Sequence, residues 1–389
     1  MARFLFLTWN GAGNQPPAVA IAQVLKSRGH KITFAGYENQ RSYFTERDFH
    51  FVRLERSARK WRDESRERMF AVKLEAVWAS PDHLDDVPRL MARERCDAAI
   101  VDCLMFGALA AAEKFKLPAA ALVHSAPGAL MPPNGQFEAL LLDAVNQVRI
   151  QAGLAAVKTL WEVWARFPAL SNSIRQLDPL ASQAPQSFHY FGPMSESVSL
   201  SEGRASWLRT DNRPLVLVSF STGPYWDQTS RIFRTLEALS QCNCRAIVTA
   251  GPVEIDPKIV PDNADVVGHA PHDKILSMAA LTVTHAGHGT VITSLKYGVP
   301  LLCLPNPVAD QPILASQIEA LGCGASLDGD NATPAEIKAA VGRLLNDRSF
   351  TANARTLAET ISRSPGVSGA ALQLETLLSH ETANSSAAE

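Results

Sequence analysis

Two series of short apolar runs, each run parted from the next by a segment of helical period, constrain this chain more than any other feature. The first series is Arg3–Trp9, a helix over Pro17–Ser27, Lys31–Gly36, a helix, and His50–Leu54; Asp97–Cys103, the helix Phe106–Phe115 and Ala119–His124 follow. Strands that are apolar at consecutive positions are buried on both faces, and strands alternating with helices join in parallel. The second series opens at Leu215–Phe220 and continues through Arg245–Ala250, Asp265–Val267, Leu281–Thr284 and Leu301–Leu304. The predicted fold class is therefore α/β, with two Rossmann-like, doubly wound parallel sheets.

A chain of 389 residues, 46% hydrophobic and 20% charged, has enough apolar mass for two cores. The boundaries predicted are a first domain over residues 1–200, a second over 214–365, a closing helix over 366–380 and a disordered tail over 381–389. Ser195–Arg213, polar and without apolar period, reads as the linker. Phe137–Gln151 and Leu154–Phe167 read as two helices, and Pro334–Leu345, Phe350–Ser362 and Gly369–Leu378 as the last three. A formal net charge of -2 argues against nucleic acid and acidic membranes as partners. The six cysteines have no metal-type spacing, so reduced thiols in a cytoplasmic protein are expected and metal ligation is not. The opening MARFLFLTWNGAG reads as a first strand, not a signal peptide, and no apolar stretch is long enough to span a bilayer.

The most informative stretch for chemistry runs from His269 to Gln311. Leu281–Thr284 reads as a buried strand, His285-Ala286-Gly287-His288-Gly289-Thr290 as a tight turn, and Val291–Tyr297 as the opening of a helix. Glycines let the backbone approach a ligand closely, the first helical turn has N–H groups without partners, and Thr290 adds a hydroxyl. A phosphate suits that combination.

Three blocks occur here in order: His269-x-Pro271-His272, Thr284–Thr290, and Gly298–Pro300 with Asp310-Gln311. Together they resemble the donor-binding signature of family 1 glycosyltransferases of the bacterial natural-product type, inverting enzymes with the two-domain GT-B fold. The run Phe188–Pro193 is similar to the end of that family's amino-terminal domain. The resemblance implies a metal-independent transferase of the hexosyltransferase class, without cofactor, that uses a UDP or TDP sugar as co-substrate. It also implies two domains facing across a cleft, with the last helix crossing back to the first, and a monomer or homodimer. Carried over by position, His269 stacks on the base and His272 meets its edge. His285 contacts the pyrophosphate, while Gly287, His288, Gly289 and Thr290 surround it. Ser221 and Thr222, at the end of a strand, reach the diphosphate or cap a helix; Asp310 and Gln311 hold sugar hydroxyls. Thr293 stands where plant-type members carry an acid for the ribose, and Leu314 where many bacterial members carry Asn, so the nucleotide is not fixed by these positions.

On the acceptor side, Asn14 lies where family members carry the histidine that deprotonates the acceptor. An amide takes no proton near neutral pH, so Asn14 orients an acceptor or a water. Asp102 matches the carboxylate that orients that histidine, and is expected to act as base or orienter, with His124 at the end of the neighbouring strand as the other base. A cap on the helix beginning near Met105 is the competing role for Asp102. Trp9, Met105, Phe106, Met131 and Trp161, with Trp164, are candidates to line a pocket for a small, largely apolar, aromatic or polyketide-like acceptor, as in antibiotic biosynthesis. The i, i+3 spacing of Trp161 and Trp164 suits a core equally well. Rival readings are a non-catalytic donor-binding helper or inactive paralogue, and a GT-B nucleotide-sugar epimerase. A dinucleotide-binding reading of Gly11-x-Gly13 fails because Pro16 stands where the third glycine belongs.

Overall fold

The computed structural model describes residues 1–11, 13–195, 212–220, 228–251 and 253–385. The chain divides into two compact units: Met1–Arg175 with Leu180–Ser197 and Pro365–Glu389, and Gln176–Pro179 with Val198–Ser364. Both are α/β with parallel sheets, the class expected from the alternating apolar runs. The segment read as linker lies almost wholly outside the described residues, and so do Ser221 and Thr222. Among the described residues no helix is long and apolar enough to cross a membrane.

The first unit is built on strands β1 (Arg3–Leu7), β2 (Lys31–Gly36), β3 (His50–Arg53), β4 (Ala98–Asp102), β5 (Ala119–Val123), β6 (Ala169–Ser171) and β7 (Phe188–Tyr190). They form one sheet in the order β3-β2-β1-β4-β5-β6-β7, every pair parallel. Strand residues alternate between faces, so β1 sends Leu5 and Leu7 into one core and Phe4 and Phe6 into the other. Helix α1 (Gln15–Ser27) covers the second core, where Ile21 and Leu25 join Phe4 and Phe6. The final helix, Gly366–Ser385, returns to the same core with Ala370, Ala371 and Leu374. It runs five residues past the end expected at 380, so residues 381–385 are helical rather than disordered. Helix α2 (Phe106–Lys114) follows β4 on the opposite face.

The helix expected over Leu154–Phe167 is only Leu160–Trp164. Gly153 at φ +78 ends the preceding helix, and side chains of that helix then occupy the backbone groups of the next residues. Asn146 bonds both the carbonyl and the N–H of Val157 at 3.0 and 2.8 Å, and Arg149 Nε donates to the Ala155 carbonyl at 2.9 Å.

The second unit has β8 (Leu215–Ser219), β9 (Arg245–Thr249), β10 (Ala264–Val267), β11 (Ala279–Thr284), β12 (Leu301–Cys303) and β13 (Gly324–Ser326). Their order is β10-β9-β8-β11-β12-β13, again all parallel. Two helices at the sheet's carboxyl edge matter for the site: α3 (His288–Lys296) after β11 and α4 (Gln311–Ala320) after β12.

Candidate active site

In each sheet the winding reverses between two central strands, β1 and β4 in the first unit, β8 and β11 in the second. Connections leave such a pair in opposite directions, so a crevice opens beyond their carboxyl ends. The chemistry-bearing residues of both units gather there.

In the first unit Asp102 ends β4, and every side of its carboxylate is engaged. Oδ1 accepts from Trp9 Nε1 and from the Leu104 N–H, each at 3.0 Å. Oδ2 accepts from Asn14 Nδ2 at 2.9 Å and lies 3.5 Å from His124 Nδ1. Asn14 is fully spent: its Nδ2 also donates to the Trp9 carbonyl at 2.9 Å, and its Oδ1 accepts the Gly11 N–H at 3.2 Å. A Cβ on Gly11 would stand 2.8 Å from the Trp9 ring, so glycine is what lets this loop close over the indole. With Asn14 1% and Asp102 2% exposed, neither side chain meets an acceptor or a water directly. That corrects the roles expected of both as groups touching substrate. The capping role is corrected too, because α2 begins at Phe106 with Met105 as N-cap and no side-chain cap.

His124 follows β5, the neighbour of β4, and strand pairing alone brings its ring to Asp102. Its Nδ1 faces the carboxylate and also lies 3.6 Å from Cys103 Sγ. Nε2 makes no hydrogen bond with any described residue. Burial alone would depress the imidazolium, but the Cys103 sulfur and the Asp102 carboxylate outweigh it and the group titrates well above its ordinary value. Burial pushes the Cys103 thiol up.

The aromatic residues assigned to the acceptor are core. Met105 and Met131 are 0%, Phe106 1%, Trp161 4% and Trp9 5% exposed. Phe106 stacks on Trp164, whose Nε1 donates to the Cys103 carbonyl at 2.7 Å. Helical spacing of large apolar residues reports a buried face without saying whether a ligand or another element covers it.

In the second unit the phosphate-type turn begins at the end of β11. Helix α3 starts at His288, three residues before the start expected, so His288, Gly289 and Thr290 form its first turn and Gly287 is its N-cap. The first bond inside the helix is Val291 N–H to the Gly287 carbonyl at 3.1 Å, which leaves the three preceding N–H groups at the helix's positive end. A Cβ on Gly289 would meet nothing within 4 Å, whereas one on Gly287 would lie 2.4 Å from His285 Nε2. The His285 ring therefore rests against Gly287. Burial pushes its imidazole down to about 4, the Ser219 backbone opposing and the Arg231 charge adding to the fall. Its buried Nδ1 has no hydrogen-bond partner among the described residues. The side chain of His288 is buried, 5% exposed, in the first turn of α3.

His269 is exposed after β10. His272 is tucked under the strand ends, its Nε2 3.4 Å from Ser219 Oγ and 3.5 Å from Thr249 Oγ1, with its pKa lowered by burial. Asp310, half-buried, stands at the N-cap position of α4 without a side-chain cap. Gln311 is 7% exposed; its Oε1 accepts from the backbone N–H and the Nδ2 of Asn306, at 3.0 and 2.9 Å.

Residues 234–377 match the family described as "Erythromycin biosynthesis protein CIII-like, C-terminal domain". The NDP-glycosyltransferase YjiC of Bacillus licheniformis is 26% identical over 218 residues, covering 54% of this chain and about half, 54%, of that protein. The uncharacterized UDP-glucosyltransferase YojK of Bacillus subtilis is 23% identical over 95% of this chain and 96% of its own length. The crystal structure of CalG4, the calicheamicin glycosyltransferase, superposes with a TM-score of 0.78 at 22% identity, over 98% of this chain and 99% of that one. The fold is that of these GT-B glycosyltransferases.

Sequence reasoning missed the group that holds Gln311 in place. Arg231, 4% exposed, bonds Asn306 Oδ1 and donates to Gln228 Oε1 at 3.1 Å and the Gly329 carbonyl at 2.8 Å. One buried guanidinium thus fixes Asn306, which fixes Gln311, and its charge also bears on His285. An arginine in an amphipathic helix carries no sequence signal for this. Also missed was the segment that surrounds Trp9: Trp78 meets it edge-on at 5.9 Å, and Lys73 Nζ lies 5.4 Å from its ring centre.

Proposed function

We propose that this protein transfers a hexose from a UDP or TDP sugar to a small, largely apolar acceptor, with inversion and without a metal. The observation that carries the reading is a buried carboxylate, fixed by Trp9, Asn14 and Leu104, that faces His124 Nδ1 and leaves Nε2 unengaged. Where His124 is neutral, at pH above its raised pKa, the acceptor hydroxyl gives its proton to Nε2, and Asp102 stabilises the imidazolium that forms. The acceptor oxygen bonds to the anomeric carbon as the carbon–oxygen bond to the diphosphate breaks on the opposite side. Charge developing on the departing diphosphate is met by the N–H groups of His288, Gly289 and Thr290 at the positive end of α3. His269 and His272 take the base, and Asp310 with the Gln311 amide takes sugar hydroxyls.

His124 thus does from β5 what family members do with the histidine at the position of Asn14. Asn14 has become a support for Asp102, which counts against a decayed helper protein. For the epimerase reading there is no comparable support. The test is turnover of UDP- and TDP-sugars with a panel of phenols and polycyclic alcohols. His124→Gln is expected to lose about 10²–10⁴-fold in kcat with donor affinity kept, and His285→Ala to lose donor affinity and turnover together. Wild-type rates in His124→Gln remove the base assignment, and unchanged nucleotide affinity in His285→Ala removes the donor assignment.

A further inference from the structure

We propose that Asp102, Cys103 and His124 form a binding site for a zinc-type divalent ion, and that metal bound there silences the acceptor base. The three ligand atoms lie within 4.8 Å of one another. His124 Nδ1 is 3.5 Å from Asp102 Oδ2 and 3.6 Å from Cys103 Sγ. Nitrogen and oxygen at about 2.0–2.2 Å and sulfur at about 2.3 Å from a tetrahedral ion stand roughly 3.3–3.6 Å apart, the spacing of these two pairs. Successive strand residues face opposite ways, but β4 ends at Asp102, and the turn into α2 brings the Cys103 sulfur round to the same ring.

Charge and support agree with the geometry. A thiolate and a carboxylate neutralise a divalent ion, so the filled site is uncharged in a buried place. Thiolate and imidazole select zinc or cobalt over magnesium or calcium. The Trp9, Leu104 and Asn14 donors hold the carboxylate from outside, as hydrogen bonds behind metal ligands do. On binding, the Cys103 thiol proton leaves to solvent and the proton of the neutral ring moves from Nδ1 to Nε2. With Nδ1 on the ion, Nε2 carries that proton and has no lone pair to take the acceptor's. This second half rests on the role given above to His124; the binding half does not.

The test is a titration of the full-length, reduced, metal-free protein with Co2+, then Zn2+. The wild type is expected to take one equivalent with tetrahedral d–d absorption and a sulfur-to-cobalt charge-transfer band, displaced by one equivalent of zinc. Cys103→Ser is expected to lose the band, and Cys96→Ser and Cys242→Ser, changes at partly exposed thiols, to keep it. X-ray absorption of the wild-type zinc form, which needs no variant to fold, is expected to show one sulfur among light-atom ligands. No charge-transfer band in the wild type, or an undiminished one in Cys103→Ser, overturns the site. Stoichiometric zinc is expected to lower turnover by roughly 10²-fold, the contribution of a general base, reversibly with a chelator. Tight binding with an unchanged rate overturns the silencing. A protein that transfers no sugar still reports cobalt, so failure of the site and failure of the transferase reading are told apart.

Discussion

Single residues do their work here through other residues. The orientation of Gln311 hangs on Arg231 by way of Asn306. Arg231→Met keeps bulk and removes the donors, leaving buried acceptors unsatisfied at about 1–3 kcal/mol each. It is expected to raise the donor KM by roughly tenfold or more while the pH profile of kcat keeps its shape. A KM equal to that of the wild type contradicts the chain of contacts. Residue-level legibility followed the same divide. His285, Gly287 and Gln311 stood out because their types and spacing suit a phosphate and a sugar. Arg231, Cys103 and Asn306 did not, because their function is conferred by neighbours far away in sequence. Asn14 was read as a loss of chemistry; its three hydrogen bonds make it a brace.

Elements were the most legible scale. Apolar runs on central parallel strands admit few other structures, so twelve or more residues of connection between strands could be assigned to helices with little ambiguity. The failures came where side chains substitute for helical bonds, as after Gly153, and where a helix starts early, as at His288. The early start has a functional edge, since it gives the first-turn N–H groups to His288, Gly289 and Thr290. Gly287→Ala places a methyl against the His285 ring and is expected to weaken nucleoside-diphosphate binding by about tenfold, or about 1.4 kcal/mol, by calorimetry. Gly289→Ala, with open space around it, is expected to leave the fold's melting temperature unchanged. In the first unit, Leu374→Ala in the final helix opens a cavity in the core that Phe4 and Phe6 share and is expected to cost about 2–5 kcal/mol in denaturant unfolding.

At the scale of the whole molecule, two buried histidines make the fold acid-labile. Burial pushes both His83 and His285 down from the ordinary 6.5 to about 4. The unfolded chain binds protons at these rings as pH falls below about 6.5, and the folded chain does so only near 4, so protons favour unfolding between those limits. Their contribution to stability is present above about 6.5 and is lost as pH falls toward 4. The melting temperature is expected to drop as pH falls through that window; a level curve from pH 6.5 down to pH 4.5 contradicts the burial of the rings. His83 reads in sequence as one more helical polar residue, and only the tertiary structure places it, 0% exposed, against the Tyr37 hydroxyl at 3.3 Å.

The polypeptide leaves its first unit near Ser197 and re-enters it at Pro365, so the half that carries the phosphate turn is spliced into its host and not appended to it. A hybrid that exchanges sugar-nucleotide halves between relatives therefore has two seams to respect. The sealing helix must travel with the amino-terminal half whose core it completes, or the recipient loses Ala370, Ala371 and Leu374 from beneath its own sheet.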